Sequence, residues 1–444
     1  MDKLALTRVP FVSCRPEIEK RCFRSSAVDA RIAEAIEKIA DPELAWMFEN
    51  CFPNTLDTTV RHSGHGPDSF IITGDIDAMW LRDSTAQVWP YLSLADQDAS
   101  LALMIEGLIR RQVNCILLDP YANAFNDGPI GSQWVSDFTE MKPELHERKW
   151  EIDSLCYAVR LSYGFWKATG QTSCFDSRWV SAMSLVIDTF VAQQRKDGAG
   201  PYAFMRESVV STETAPLNGY GNPTKPVGMI HSIFRPSDDA CIFPFLIPSN
   251  LFAVTSLRQL AMISTEVLGD ETLSTRALAL ADEVAQAVEK YGIHEHPAFG
   301  RIYAYEVDGL GGRVFMDDAN VPSLLGLPYL DCVDSNDEVY QNTRRFVLSP
   351  ENPYFFRAEK WEGVGGAHIG PPFIWPMSII VRALTSDSAD EIERCIEMLR
   401  LTHAGTGFIH ESFHRDDPDN FTRHWFAWAN TLFGELILQS IAED

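Results

Sequence analysis

Apolar residues recur at three- and four-residue intervals along most of this chain. The recurrence predicts helices over about 28–50, 79–93, 97–114, 150–169, 178–194, 249–268, 274–291, 320–326, 335–347, 373–384, 388–402 and 422–441. Between alternate pairs lie long stretches rich in Gly, Pro, Asn and aromatic residues, at 54–78, 115–149, 196–248, 292–319, 348–372 and 403–421. Helix pairs alternating with six such loops predict an all-α fold: an (α/α)6 barrel, or helical toroid, with long site-forming loops on one face. Long ordered loops inside a compact domain usually carry function. No composition shift marks a boundary, so the expectation is an irregular N-terminal arm over 1–27 and a single catalytic domain over 28–444.

The polar positions that break this pattern cluster most densely at Thr73-Gly74-Asp75-Ile76-Asp77-Ala78-Met79-Trp80-Leu81-Arg82-Asp83-Ser84. Carboxylates, a guanidinium fork and a flat aromatic face are the groups that grip a sugar ring, whose hydroxyls need fixed donors and acceptors and whose C–H faces need an apolar platform. Asp75 or Asp77 as a helix cap, with Arg82 and Asp83 as a surface ion pair, is the competing structural reading.

A second cluster, Arg235-Pro236-Ser237-Asp238-Asp239, reads either as a capped helix start or as a general acid in a loop with Tyr220, His231 and Arg235. A helix N-terminus and an arginine both lower a carboxyl pKa, whereas an acid must stay protonated near neutrality. Adjacent Asp238 and Asp239 offer a resolution, one ionised and raising the other. Third, His410-Glu411-Ser412-Phe413-His414 has the H-E-x-x-H spacing of zinc peptidases. Glycines before it and Pro418 after it make a poor setting for the long helix that such a site needs, and the alternative is a loop glutamate acting as base. Glu359-Lys360-Trp361-Glu362-Gly363-Val364-Gly365-Gly366-Ala367-His368 is a close-approach loop and fits no nucleotide-binding pattern. Asp317-Asp318-Ala319-Asn320 reads as a cap before Val321.

Composition narrows the partners. A net charge of −25 over 444 residues argues against nucleic acid or an anionic membrane surface. No run reads as a membrane span or as the apolar core of a signal peptide. The nine scattered cysteines never take a C-x-x-C spacing, which suggests reduced thiols and a cytoplasmic setting.

In one order over nearly the whole chain, Gly74-Asp75-Ile76-Asp77-Ala78-Met79-Trp80-Leu81-Arg82-Asp83-Ser84, Arg235-Pro236-Ser237-Asp238-Asp239, Asp317-Asp318-Ala319-Asn320-Val321-Pro322 and His410-Glu411-Ser412-Phe413 resemble glycoside hydrolase family 125, the metal-independent exo-α-1,6-mannosidases. The resemblance implies an (α/α)6 barrel, no cofactor or metal, and removal of terminal α-1,6-linked mannose with inversion. The substrate is then a mannose-containing oligosaccharide or N-glycan fragment. The general acid is Asp238, with Asp239 as the alternative, and the base is Glu411. Asp77, Trp80, Arg82, Asp83, His231, Arg235, His368 and His410 are the substrate-binding candidates. A zinc peptidase using His410, Glu411 and His414, and a non-catalytic glycan-binding protein on the same scaffold, are the rival readings.

Overall fold

The computed structural model describes residues 11–62 and 66–442. Its helices are α1 (Ser26–Lys38), α2 (Pro42–Cys51), α3 (Asn54–Thr58), α4 (Leu81–Val88), α5 (Ala99–Leu118), α6 (Ile152–Thr169), α7 (Ser177–Gln193), α8 (Ile247–Ile263), α9 (Glu271–Tyr291), α10 (Glu338–Val347), α11 (Pro376–Leu384), α12 (Ala389–Leu401) and α13 (Ala427–Ser440). Several begin on a side chain that accepts from their own first-turn N–H groups: Ser25, Asp41, Asp98, Asp176, Asp270, Asp337 and Ser388. Upstream of α1, residues 11–25 hold only the 3-10 turn Ile18–Lys20.

Four differences from the predicted pattern have local causes. The span 28–50 is two helices, because Asp41 caps a new one at Pro42, whose fixed φ suits a first helical turn and ends the previous helix. The span 79–93 is helical only over α4; Met79–Trp80 is a strand, and Pro90 turns the rest into the 3-10 segment Trp89–Leu94. Residues 320–326 form no helix, since the Asp317 carboxylate takes the Leu324 and Leu325 N–H groups instead. The strand that ends at Thr422 is followed by a bend at Arg423 and His424 before α13 starts at Ala427. Between the helices the described residues also include fifteen strands of two to six residues in six small sheets. The helix period says nothing about these two- and three-residue pairings inside loops.

α6 packs against α4 and α8, and α13 against α4 and α11. The segment after Asp317 fills the place between α8 and α11. Thr255 of α8 donates to Asp331 O, Tyr157 of α6 donates to Val321 O, and Gly326 faces Val381 of α11. α7 touches both α5 and α9, and α9 packs along α8. With its last turn, Ile247–Leu268, α8 is long and apolar enough to cross a membrane, contrary to the expectation from sequence. Here it is apolar because α6 and α9 cover it on two sides.

One contiguous core runs from Val28 to Ile437. Asp83, Asp153 and Trp428 all lie in the first turns of α4, α6 and α13. These helices therefore turn their positive N-terminal ends toward one face, where carboxylates collect.

Candidate active site

At that face a cavity of about 300 Å³ opens between the loops. Arg82, the second residue of α4, is its electrostatic centre. Its guanidinium lies 2.6 Å from Glu151, 3.2 Å from Asp153, 3.1 Å from Asp238 and 3.5 Å from Asp83. Four carboxyls thus surround one buried cation. Burial, partly offset by Arg82, lifts Asp83 and Asp153 to about 6 and pushes Glu151 well above the carboxylate range. Asp238 goes the other way: against the upward push of burial, Arg82, a hydrogen bond with Glu151, Lys149 and His368 hold it well below that range.

Asp238 sits on a tight turn rather than at a helix start. Phe234 and Ala240 bridge the two arms of the turn, Arg235 N donates to Asp239 O over 2.7 Å and Asp238 N to Arg235 O over 2.9 Å. Asp238 itself has φ +68°, the left-handed region that Asp tolerates better than most residues. This turn sends the two adjacent aspartates apart. Asp238 reaches the cavity, where its Oδ1 accepts from Arg82 Nη2 and from Asn123 Nδ2 at 3.2 Å. Asp239 is buried behind it, taking Ser237 Oγ at 3.1 Å and lying 3.7 Å from His368 Nδ1. The turn thus separates the two aspartates, and Arg82 and Asn123, which each reach both groups, join Asp238 to Glu151 instead.

Glu411 enters the same cavity from a different loop. It precedes the strand Ser412–His414, which pairs with Asp417–Thr422. Thr422 Oγ1 donates to its Oε2 over 3.0 Å and Arg423 Nη1 to its Oε1 over 3.3 Å. Arg423 also binds Thr73 O and Asp75, tying this loop to the one before α4. His368 lies between the two catalytic candidates. Burial works against its charge, but Asp239, then Asp238 and Glu411, outweigh that and lift its pKa to about 9. Trp80, Trp375 and Trp428 supply aromatic faces to the cavity. The Nε1 groups of Trp80 and Trp375 are buried without a protein partner among the described residues.

Of the predicted residues, Trp80, Arg82, Asp83, Asp238, His368 and Glu411 converge on the cavity. Four binding candidates do not. His231 is buried against Gln193 O and Thr224 Oγ1. Arg235 is spent on buried Glu306 at 2.6 Å. Asp77 points to solvent and pairs with Arg61. His410 is buried, stacked on Phe421 at 3.8 Å, with its ring nitrogens at His403 O and Arg423 O. The zinc-like spacing also dissolves: Ser412–His414 is a strand, so the two histidines do not share a helix face. Among the described residues no group of three His, Cys, Asp or Glu side chains has the geometry to hold a metal ion.

Sequence reasoning missed Glu151, Asp153, Asn123, Asn320, Trp375, Arg423 and Trp428. The first two had a signal, acids at the start of a predicted helix, but acids are common at any helix start. Arg423 and Trp428 sat inside a span assigned to helix. Larger clefts, of about 520 and 700 Å³, lie away from this face. The arginines of the first are already engaged by Glu106, Asp176, Asp68, Asp127 and Asn114.

Residues 41–438 match the family model described as metal-independent alpha-mannosidase (GH125). The Schizosaccharomyces pombe protein called meiotically up-regulated gene 157 protein is 42% identical over 454 residues, spanning 97% of this chain and 88% of that one. A Streptococcus pneumoniae metal-independent alpha-mannosidase, solved in a non-productive substrate complex with alpha-1,6-mannobiose, is 41% identical. It superposes with a TM-score of 0.92 over 95% of this chain and 100% of its own. A bacterial glucoamylase complexed with acarbose shares the fold alone, with a TM-score of 0.55 at 12% identity over 95% of this chain and 57% of its own.

Proposed function

The chain belongs to the GH125 metal-independent alpha-mannosidases, and we propose that it removes terminal α-1,6-linked mannose with inversion, using Asp238 as general acid and Glu411 as general base. It is a glycoside hydrolase. The observation that carries the assignment of roles is that Asp238 and Glu411 enter one cavity from two separate loops, each gripped by its own arginine. Asp238 is chosen over Asp239 because Asp238 lines the cavity while Asp239 is buried behind it. A volume of about 300 Å³ is at the small end for ligand sites and suits one hexose ring with a few waters, in keeping with exo action.

In this reading the mannose ring rests among Trp80, Trp375 and Trp428, with Asn320 and the carboxylates meeting its hydroxyls. Asp238 gives its proton to the glycosidic oxygen as the C1–O bond breaks. A water attacks C1 from the opposite face and loses its proton to Glu411, so the first product is β-mannose. His368, charged at neutral pH, balances the carboxylates around the ring.

For the scaffold we propose a closed (α/α)6 toroid. Its inner ring is α4, α6, α8, the segment 319–331, α11 and α13, an order supported by their packing and by the likeness to glucoamylase. We also propose that the protein works in a reducing compartment, a reading supported by nine unpaired thiols, six of them buried. The functional test is mannose release from α-1,6-, α-1,2- and α-1,3-mannobiose with a chelator present throughout. Release from the α-1,6 isomer alone is expected; release only from another isomer, or dependence on added metal, overturns the reading.

A further inference from the structure

We infer that Glu151 is the positioning residue that keeps the general acid supplied with its proton, a role resting on the reading of Asp238 as that acid. The two carboxyls share the same two donors. Arg82 gives Nη1 to Glu151 Oε2 at 2.6 Å and Nη2 to Asp238 Oδ1 at 3.1 Å. Asn123 Nδ2 lies 3.4 Å from Glu151 Oε1 and 3.2 Å from Asp238 Oδ1. Only one of the pair meets substrate: the Asp238 side chain is 21% exposed and lines the cavity, whereas that of Glu151 is 0% exposed.

Charge balance requires a retained proton here. Facing the pair are the cations Arg82, Lys149 and His368 and the acids Asp83 and Asp153, with His146, Tyr202 and Glu147 at the edge. Lys149 is itself engaged by Glu147 and Glu213, and His368 by Asp239. That leaves one buried guanidinium for four carboxyls, which cannot all ionise. The Glu151–Asp238 pair therefore titrates as a unit holding one proton, as two carboxyls in one site do. At rest the deeper burial of Glu151, with Lys149 and His368 on the side of Asp238, favours the proton on Glu151. For reaction it passes along the shared hydrogen bond to Asp238, and Asp238 gives it to the leaving oxygen. The pair is then doubly ionised beside Arg82, and it is reprotonated after the proton taken from water by Glu411 has returned to solvent. Repulsion within the pair keeps its last proton bound at a higher pH than a lone aspartate beside an arginine would allow. This is how a carboxyl held by Arg82 can still act as an acid near neutrality.

The pH profile of kcat/KM on α-1,6-mannobiose tests this, because its basic limb reports loss of the acid's proton. In Glu151→Gln the neighbouring charge is gone, so the basic limb is expected to move about one unit or more toward lower pH. KM should stay near its wild-type value, since Glu151 does not touch the sugar. Ser154→Ala removes a 3.0 Å donor to Glu151 Oε2 and so disfavours the doubly ionised pair; its basic limb should move the opposite way. A reactive aryl mannoside, whose leaving group needs no proton, should show neither shift. Basic limbs that stay put in both variants, or that move equally with the aryl substrate, overturn the inference. If Glu151→Gln does not fold, the Ser154→Ala profile decides alone. A wild type without α-1,6 activity defeats the underlying functional reading instead, so the two failures are distinguishable.

Discussion

Arg423 holds Glu411 from a left-handed backbone position, φ +47°, with Nη1 3.3 Å from Oε1. Its other amino group is committed to Thr73 O and Asp75, so the guanidinium cannot follow the carboxylate if the carboxylate swings. With Thr422 on Oε2, both oxygens of Glu411 are oriented before any water arrives. Replacing Glu411 by Gln preserves this hydrogen-bonding shape and removes only the basicity. Turnover on α-1,6-mannobiose should fall about 10²- to 10⁴-fold with little change in melting temperature. Near-normal turnover in Glu411→Gln would show that another group is the base.

Asp238→Asn separates the acid from the fold. Asn tolerates the left-handed backbone as Asp does, so the turn over Arg235–Asp239 should persist. The loss is expected to be about 10²- to 10⁴-fold with a sugar leaving group and much smaller with an activated aryl mannoside. Steady-state kinetics on the two substrates checks it. An equal loss on both would remove Asp238 from the role of acid and reduce it to a structural part of the turn.

His368 carries a signed pH prediction. Its pKa is raised in the folded protein to about 9 from an ordinary 6.5. A raised cationic pKa contributes stability that is complete below about 6.5 and is lost as pH climbs through about 9. The gap in melting temperature between wild type and His368→Gln should therefore shrink steadily from pH 6.5 to 9.5. A gap that is flat across that window, or that grows, contradicts the assignment of a charged histidine among Asp239, Asp238 and Glu411.

Gly365 is required for a close approach rather than for an unusual φ. A Cβ there would collide with the Phe373 carbonyl oxygen, while Gly365 N donates to Tyr354 O and its carbonyl accepts from Ala319 N. Backbone meets backbone on three sides, so nothing flexible can yield. Gly365→Ala should destabilise by about 1–3 kcal/mol, as overpacked cores do, and thermal unfolding reads it. An unchanged midpoint would mean that the loop carrying His368 sits further from Phe373.

Much of this was legible in the chain. Helix spans survive where a capping side chain and a long apolar period coincide, as at Asp98 for α5, Asp176 for α7 and Asp270 for α9. The spans fail where proline or a local acceptor overrides the period, at Pro42, Pro90 and Asp317. Trp80, Arg82, Asp83, Asp238, His368 and Glu411 were recognisable from the density of carboxylate, arginine and aromatic residues in short motifs. His231, Arg235 and His410 carry the same chemical types, but they satisfy buried carbonyls, a hydroxyl and Glu306. Sequence distinguishes these uses poorly, because burial is decided by the opposite wall. Glu151 shows the reverse case: 87 positions from Asp238 in the chain, it comes to share Arg82 and Asn123 with Asp238 only when the start of α6 meets the Arg235–Asp239 turn.

The measurement that tests the central claim most directly is a proton NMR time course, with chelator present, of hydrolysis of the methyl glycoside of α-1,6-mannobiose, in which the released mannose is the only sugar with a free anomeric centre. The anomeric signal of the first mannose released is the readout. Initial accumulation of β-mannose, followed by slow mutarotation, is the predicted result for water attacking opposite Asp238 with help from Glu411. Initial α-mannose would contradict the account, since it requires a covalent intermediate that this pair of carboxylates was not assigned to form.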